Sequence, residues 1–129
     1  MQTASDRNFL RTVLLIDAAT CVATGILTAG ATSVVASLTQ LPADLLFYAG
    51  AILFPIAAFI AFVATAGKLT PLGVWLVIIG NAAWVAGSLW LLGDNRLSPN
   101  ALGYAFIAAQ AATVALLATL EYVGLRRLL

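Results

Sequence analysis

Apolar residues along this chain gather in four long stretches that are separated by short polar segments. The stretches cover residues 9–37, 45–66, 71–92 and 99–123. Each is long enough for a helix to cross the hydrocarbon core of a bilayer, which needs roughly 20 apolar residues. The pattern therefore predicts an all-α membrane protein, with four transmembrane helices in a single domain over residues 1–129.

The connections between the stretches predict how the helices run. They contain Pro42, Pro71 and Pro99, which are typical of helix boundaries. Because short loops make consecutive helices antiparallel neighbours, we expect an up-down-up-down bundle. The first stretch is longer than a bilayer requires, so it either ends early near Gly30 and Ser33 or crosses the membrane at a tilt.

Basic residues predict the orientation of this bundle. The predicted spans place five basic residues on one side of the membrane, namely Arg7, Arg11, Lys68, Arg126 and Arg127, and only Arg96 on the other side. Lysine and arginine concentrate in the cytoplasmic loops of membrane proteins. We therefore expect a multi-pass protein of the cell inner membrane, with both termini in the cytoplasm.

Composition excludes several classes of protein. Apolar residues make up 63% of the chain and charged residues 9%, against about 45–50% and 25% in soluble domains. A chain this short cannot bury so much apolar surface as a soluble monomer, and it is too apolar to be disordered. A net charge of +1 offers no electrostatic footprint for nucleic acid, so we expect no nucleic-acid partner.

Most catalytic and metal chemistry is missing from the sequence. Histidine is absent and Cys21 is the single cysteine, which excludes imidazole ligands and an intrachain disulfide. We find no phosphate-binding loop, no nucleophile with a base, and no carboxylate cluster with metal-ligand spacing. We expect no enzymatic activity, no metal and no cofactor.

Small residues form stripes along two of the predicted helices. The third helix carries Gly73, Gly80 and Gly87, and the fourth runs from Gly103 through Gln110 and Leu117 to Gly124, both in steps of seven. Such repeats favour close helix packing, although the same faces are also suited to line a ligand cavity. In the second helix, Pro55 frees the carbonyl of Ala51 and predicts a kink, for packing or for gating.

Two acidic residues lie inside the predicted helices. Asp17 follows Arg11 by six residues and Glu121 precedes Arg127 by six, so each lies about 9 Å inward from a cytoplasmic arginine. An acidic group at a helix centre costs about 2.5–3.5 kcal/mol on insertion scales. Because side chains tilt toward their helix N-terminus, we expect an Arg126–Asp17 ion pair. A titratable relay site and snorkelling to water are the alternatives.

Two amide side chains lie near the predicted membrane centre. Asn81 and Gln110 follow their helix starts by ten or eleven residues, so they lie at matched depth. Such amides bond across helices with about 0.6 kcal/mol on average. Alternatively, they present hydrogen bonds to a ligand beside Trp84, which lies well inside the third helix.

Three segments resemble known proteins: LRTVLLIDAATCVATGIL, VWLVIIGNAAWVAGS and AAQAATVALLATLEYVGLRR. Together they resemble a group of small proteobacterial inner-membrane proteins with four helices. The resemblance implies a four-helix fold over nearly the whole chain. It implies no particular activity, and it supplies no site residue.

Three functions remain open. The leading hypothesis is a non-enzymatic membrane subunit that lies in the lipid bilayer and forms homo- or hetero-oligomers. Its two small-residue stripes offer more close-packing surface than the interior of one four-helix bundle needs. The second is a small proton- or cation-coupled transporter or channel that uses Asp17 and Glu121, with Pro55 allowing rearrangement. The third is a binder of an apolar membrane ligand (quinone, carotenoid or lipid) near Trp84.

Overall fold

The computed structural model of the chain is all-helical and describes residues 4–94 and 97–129. Its helices are α1 (Ala4–Gly25), α2 (Thr32–Thr39), α3 (Ala43–Thr65), α4 (Pro71–Gly93) and α5 (Ala101–Leu128). Four segments are long and apolar enough to cross a membrane, namely α1 with its continuation to Gly30, α3, α4 and α5. The predicted helical class and the four candidate spans are therefore confirmed.

The first apolar stretch divides into two helices. A π-helical turn, Ile26–Gly30, prolongs α1, and the backbone of Ala31 then leaves the helical region at φ −122° and ψ 40°. Two hydroxyls near this point bond backward to main-chain carbonyls, Thr28 to Thr24 at 2.8 Å and Thr32 to Thr28 at 2.7 Å. Because such bonds compete with the helical ladder, the helix breaks here, so the first apolar stretch ends early near Gly30, one of the two alternatives left open by the sequence.

α1 is the central helix of the packing. It lies against α3 on one side and α5 on the other, and α4 packs mainly on α5. Their buried core is apolar and includes Leu14 of α1, Ile60 of α3, Val74 of α4 and Leu125 of α5. Helices in lipid associate through such close packing, because the lipid chains are as apolar as the helix faces.

α3 and α4 follow one another in the chain but make few contacts with each other. The expectation that a short connection makes consecutive helices packed neighbours is wrong for this pair. Each of the two helices has its packing partner elsewhere, α1 for α3 and α5 for α4. A gap between them carries no hydrophobic penalty in a bilayer, because lipid chains are able to fill it.

Close approach of α1 and α3 depends on two glycines. A methyl group on Gly50 would collide with the hydroxyl of Thr28 and lie 2.8 Å from the backbone nitrogen of Ala29. On Gly25 it would lie 2.9 Å from the carbonyl oxygen of Gly50. Both contacts involve backbone atoms, so a larger residue at either position would force the two helices apart.

Candidate functional site

Three helices bring Asp17, Asn81 and Glu121 together inside the bundle. The side-chain nitrogen of Asn81 on α4 donates to Oδ2 of Asp17 on α1 at 2.7 Å and to Oε1 of Glu121 on α5 at 2.8 Å. The thiol of Cys21 lies 3.7 Å from Oδ1 of Asp17. All four side chains are buried, with Asp17 1% and Glu121 0% exposed. We name Asp17, Cys21, Asn81 and Glu121 the carboxyl layer.

The charge of this layer is not balanced by a basic side chain. Within residues 4–94 and 97–129, neither Asp17 nor Glu121 forms an ion pair, and Oε2 of Glu121 is buried without a hydrogen-bond partner. Residues 49–65 of α3 include no ionisable side chain. Asn81 is thus the principal polar contact of both carboxyls.

The ion pair expected between Arg126 and Asp17 is wrong. Arg126 is exposed and donates to the hydroxyl of Tyr122 at 2.9 Å, while Arg127 lies 4.9 Å from the centre of the Phe9 ring. Both guanidinium groups stay at the surface because burying a charged group is costly. Asn81 reaches Asp17 without that cost, since its amide is neutral.

Arg11 binds backbone carbonyl groups and neither acid of the carboxyl layer. Its guanidinium donates to the carbonyl oxygens of Ala64 and Ala66, each at 2.7 Å, and to that of Gly67 at 3.3 Å. These carbonyls lie at the end of α3 and lack partners within the helix. Arg11 therefore caps α3 and complements the negative end of its dipole.

A second group of polar side chains joins α4 to α5. The indole nitrogen of Trp84 donates to Oε1 of Gln110 at 2.8 Å. The amide nitrogen of Gln110 donates to Oγ of Ser88 at 2.7 Å and to the carbonyl oxygen of Ile107 at 3.0 Å. Ser88 donates to the carbonyl oxygen of Trp84 at 2.9 Å. We name Trp84, Ser88 and Gln110 the tryptophan layer.

The predicted amides thus both bond across helices, but with different partners. Asn81 belongs to the carboxyl layer and Gln110 to the tryptophan layer. The sequence analysis singles out neither Cys21 nor Ser88 as a hydrogen-bond partner of these side chains. Each lies four residues from a polar neighbour on its helix, Cys21 after Asp17 and Ser88 after Trp84, and this spacing is the signal that identifies them.

Three adjoining cavities meet at Trp84. The first has about 460 Å³ and lies among α3, α4 and α5, with Thr24 and Thr28 at its wall. The second has about 360 Å³, lies between α3 and α4, and reaches Cys21 and Asn81. The third has about 340 Å³ and lies between α1 and α5. We name the first two together the cleft, since both open along the gap between α3 and α4.

The glycines of the α4 stripe differ in their surroundings. A methyl group on Gly73 would lie 3.2 Å from Val63. A methyl group on Gly80 or Gly87 would have no heavy atom of the described residues within 4 Å. Gly80 lines both cavities of the cleft and Gly87 lines the first. Within the described residues, Gly80 and Gly87 therefore line a cavity, the alternative that the sequence left open beside helix packing.

Two other predicted glycines lie at helix contacts. A methyl group on Gly103 would collide with the carbonyl oxygen of Thr39, and one on Gly124 would lie 3.1 Å from Leu10 and 3.2 Å from Phe9. Both glycines are buried in α5. Pro55 lies within α3 and lines the second cavity, so it borders the cleft.

Four apolar helices with buried polar layers are compatible with an integral, multi-pass membrane protein. Comparisons of the chain with models of known protein families, with curated proteins and with solved structures found no match. The resemblance to small four-helix inner-membrane proteins stays a prediction. Function has to be inferred from the two polar layers and the cleft.

Proposed function

We propose that this chain is a non-enzymatic protein of the cell inner membrane that binds an apolar membrane molecule in the cleft. The observation that carries the proposal is the gap between α3 and α4, where two adjoining cavities share Gly80 and Trp84 as lining residues. Pockets of roughly 300–1,000 Å³ with mostly apolar walls are typical of small-molecule sites. The first cavity, at about 460 Å³, falls within that range.

The hydrogen bonds of the site favour a ligand that is held by apolar contact. The indole N–H of Trp84 and both amide N–H groups of Gln110 already donate within the protein. Asn81 likewise donates to both carboxyls. Because these donors are occupied, we infer an occupant with a long hydrocarbon chain, such as a lipid or an isoprenoid, in preference to a polar ring.

Filling the cleft tests this function directly. The protein is extracted gently from its membranes, and bound molecules are identified by native mass spectrometry. Gly80→Leu adds a side chain to open space in the cleft, whereas Gly93→Leu, the matched control, adds it at the exposed end of α4. We expect one apolar species at fixed stoichiometry with the wild type and Gly93→Leu, and its loss with Gly80→Leu. The same species in all three samples, or the bulk lipid mixture alone, would overturn the proposal.

Self-association is a second candidate, favoured by the surroundings of Gly80 and Gly87. Among the described residues, a methyl group on either of these two glycines would meet no heavy atom within 4 Å, and small residues allow two helices in lipid to approach closely. The same native spectra separate the two functions. A wild-type oligomer without ligand that dissociates in Gly80→Leu, while Gly93→Leu stays assembled, supports a subunit.

We further infer an up-down-up-down topology with both termini in the cytoplasm. Contacts that bring helix starts beside helix ends support it: Arg11 with Ala66, Phe9 with Arg127, and Trp75 with Tyr122 at 5.8 Å between ring centres. The basic residues predicted at the cytoplasmic face include these arginines, and Arg96 lies outside the described residues.

Cysteine labelling tests the orientation. In a Cys21→Ala background, Lys68→Cys and Ser98→Cys place single thiols at exposed loop positions before α4 and before α5. We expect a membrane-impermeant maleimide added to the outside of spheroplasts to label the thiol at position 98 and not the one at position 68. The reverse pattern would invert the proposed orientation.

A further inference from the structure

The carboxyl layer holds two acids closer together than their charges allow. Asp17 and Glu121 accept hydrogen bonds from one nitrogen. The distance between the two accepting oxygens therefore cannot exceed the sum of the two hydrogen-bond lengths. Both side chains are almost completely buried. At such a distance in a medium of low dielectric constant, two carboxylates do not both carry a full charge.

An independent feature of Glu121 indicates what compensates this charge. Its second oxygen, Oε2, is buried and has no donor within the part of the chain that the structure describes. An anionic oxygen without a partner in such a place is among the costliest groups in a protein. A small positively charged ligand on the acid pair removes both problems at once.

The surroundings favour a proton over a metal ion as that ligand. Among the described residues, no group of three or more acidic, histidine or cysteine side chains is arranged to hold a metal. The groups facing the acid pair are the Cys21 thiol on α1 and the neutral amide of Asn81 on α4. α3 contributes no ionisable side chain over residues 49–65, and Arg11 is bound to the carbonyls at the end of α3.

We propose that Asp17 and Glu121 bind one exchangeable proton between them, which makes the carboxyl layer a proton-binding site within the membrane. Asn81 holds the remaining negative charge through its two N–H donors. Asn81 and Cys21 also line the cavity between α3 and α4, so the proton exchanges through this wall when water, and not the lipid, occupies that cavity. The proton site requires no lipid in the cleft, although the two share the wall formed by Asn81 and Cys21.

Infrared spectroscopy and carbodiimide labelling test the site in the intact protein, reconstituted in nanodiscs. A protonated carboxyl has a C=O stretch that moves on transfer to D₂O, and dicyclohexylcarbodiimide modifies protonated carboxyls in apolar surroundings. At neutral pH we expect the wild type to give the signal of one such carboxyl and a carbodiimide adduct on Asp17 or Glu121. Asp44→Asn is the matched control, because it removes an exposed acid at the start of α3.

The expected variants are selective. Glu121→Gln leaves Asp17 without a like-charged neighbour and still bound to Asn81, so it loses the neutral-pH signal. Asp44→Asn retains it, and so does Asp17→Asn, because Oε2 of Glu121 stays buried without a donor among the described residues. If either variant of the acid pair fails to fold, the infrared and carbodiimide measurements on the wild type still test the proposal. No protonated-carboxyl signal in the wild type, a signal of two such carboxyls, or its displacement by Na⁺ at constant pH would overturn the proposal. Loss of bound lipid in Gly80→Leu tests the cleft, whereas the carboxyl signal is measured in the wild type and does not require that lipid.

Discussion

Asp17 and Glu121 accept hydrogen bonds from the same nitrogen atom, the side-chain amide of Asn81, at 2.7 and 2.8 Å. One neutral side chain on α4 thereby joins an acid of α1 to an acid of α5. α4 packs mainly on α5, so this amide is also a polar link from α4 to α1. The consequences of removing it are measurable.

Asn81→Leu should be strongly destabilising. It leaves two buried carboxyls without their shared donor, and we expect the free energy of unfolding to fall by about 2–3 kcal/mol, the upper range for an unsatisfied buried group. Unfolding in mixed micelles with increasing SDS, followed by circular dichroism, measures the change. A loss near 0.6 kcal/mol, the average for an interhelical hydrogen bond in a membrane, would contradict it.

Replacing the whole polar triad should restore most of that stability. A triple variant, Asp17→Leu, Asn81→Leu and Glu121→Leu, removes the buried acids together with their donor. Fully apolar replacements of buried charged groups are often neutral or stabilising, so we expect unfolding within about 1 kcal/mol of the wild type. The same SDS titration measures the free energy of unfolding of the triple variant. A triple variant less stable than Asn81→Leu alone would refute this account.

Two glycines should respond oppositely to alanine. A methyl group at Gly50 meets Thr28 and the backbone of Ala29, whereas one at Gly80 meets open space. We expect Gly50→Ala to lower the free energy of unfolding by about 1–3 kcal/mol through overpacking. Gly80→Ala should raise it by up to about 1 kcal/mol, the difference in helix propensity. Equal shifts of the unfolding midpoint in the two variants would show that α1 and α3 do not approach as described.

Arg11 should contribute to the stability of α3. Arg11→Met removes donors to the carbonyls of Ala64, Ala66 and Gly67, and we expect a loss of about 1 kcal/mol, reduced from the usual value for charged hydrogen bonds because the site is partly solvated. Arg126→Met, which removes an exposed contact with Tyr122, is the control. It should change stability by less than about 0.5 kcal/mol. Hydrogen exchange at the last turn of α3 locates the effect.

Trp84→Phe separates the hydrogen bond of the indole from its apolar surface. The variant leaves Oε1 of Gln110 without its donor, so we expect a loss of about 1 kcal/mol in unfolding. The bound lipid should remain, because the aromatic wall of the cleft is retained. Trp90→Phe, at a site 70% exposed, should change neither quantity. Native spectra of Trp84→Phe without ligand would show that the indole N–H contacts the ligand.

Much of the fold could be predicted from the sequence, since the four spans follow from hydropathy and length. The position of a residue along its helix also follows, at 1.5 Å per residue. Which helices adjoin, and how each is rotated, does not follow. Side-chain direction alone therefore matches Arg126 to Asp17, whereas the donor in the structure is Asn81, on a helix that the sequence does not place beside α1.

The cleft was outside the reach of sequence reasoning for a similar reason. A glycine stripe has the same pattern whether it packs against a helix or faces open space. Gly124 lies against Leu10, while Gly80 borders a cavity, and nothing in their seven-residue spacing separates the two cases. The difference arises from the partners that α3 and α4 find elsewhere.

The composition of the carboxyl layer also bears on the biosynthesis of the protein. Asp17 and Asn81 are 64 residues apart, which corresponds to roughly 3–13 s of translation at about 5–20 residues per second. α1 therefore emerges from the ribosome before the amide that binds its acid has been made. A buried acid without a donor favours contact with water. Transfer of α1 into lipid is therefore unfavourable until α4 supplies Asn81, and the carboxyl layer is complete only when α5 brings Glu121.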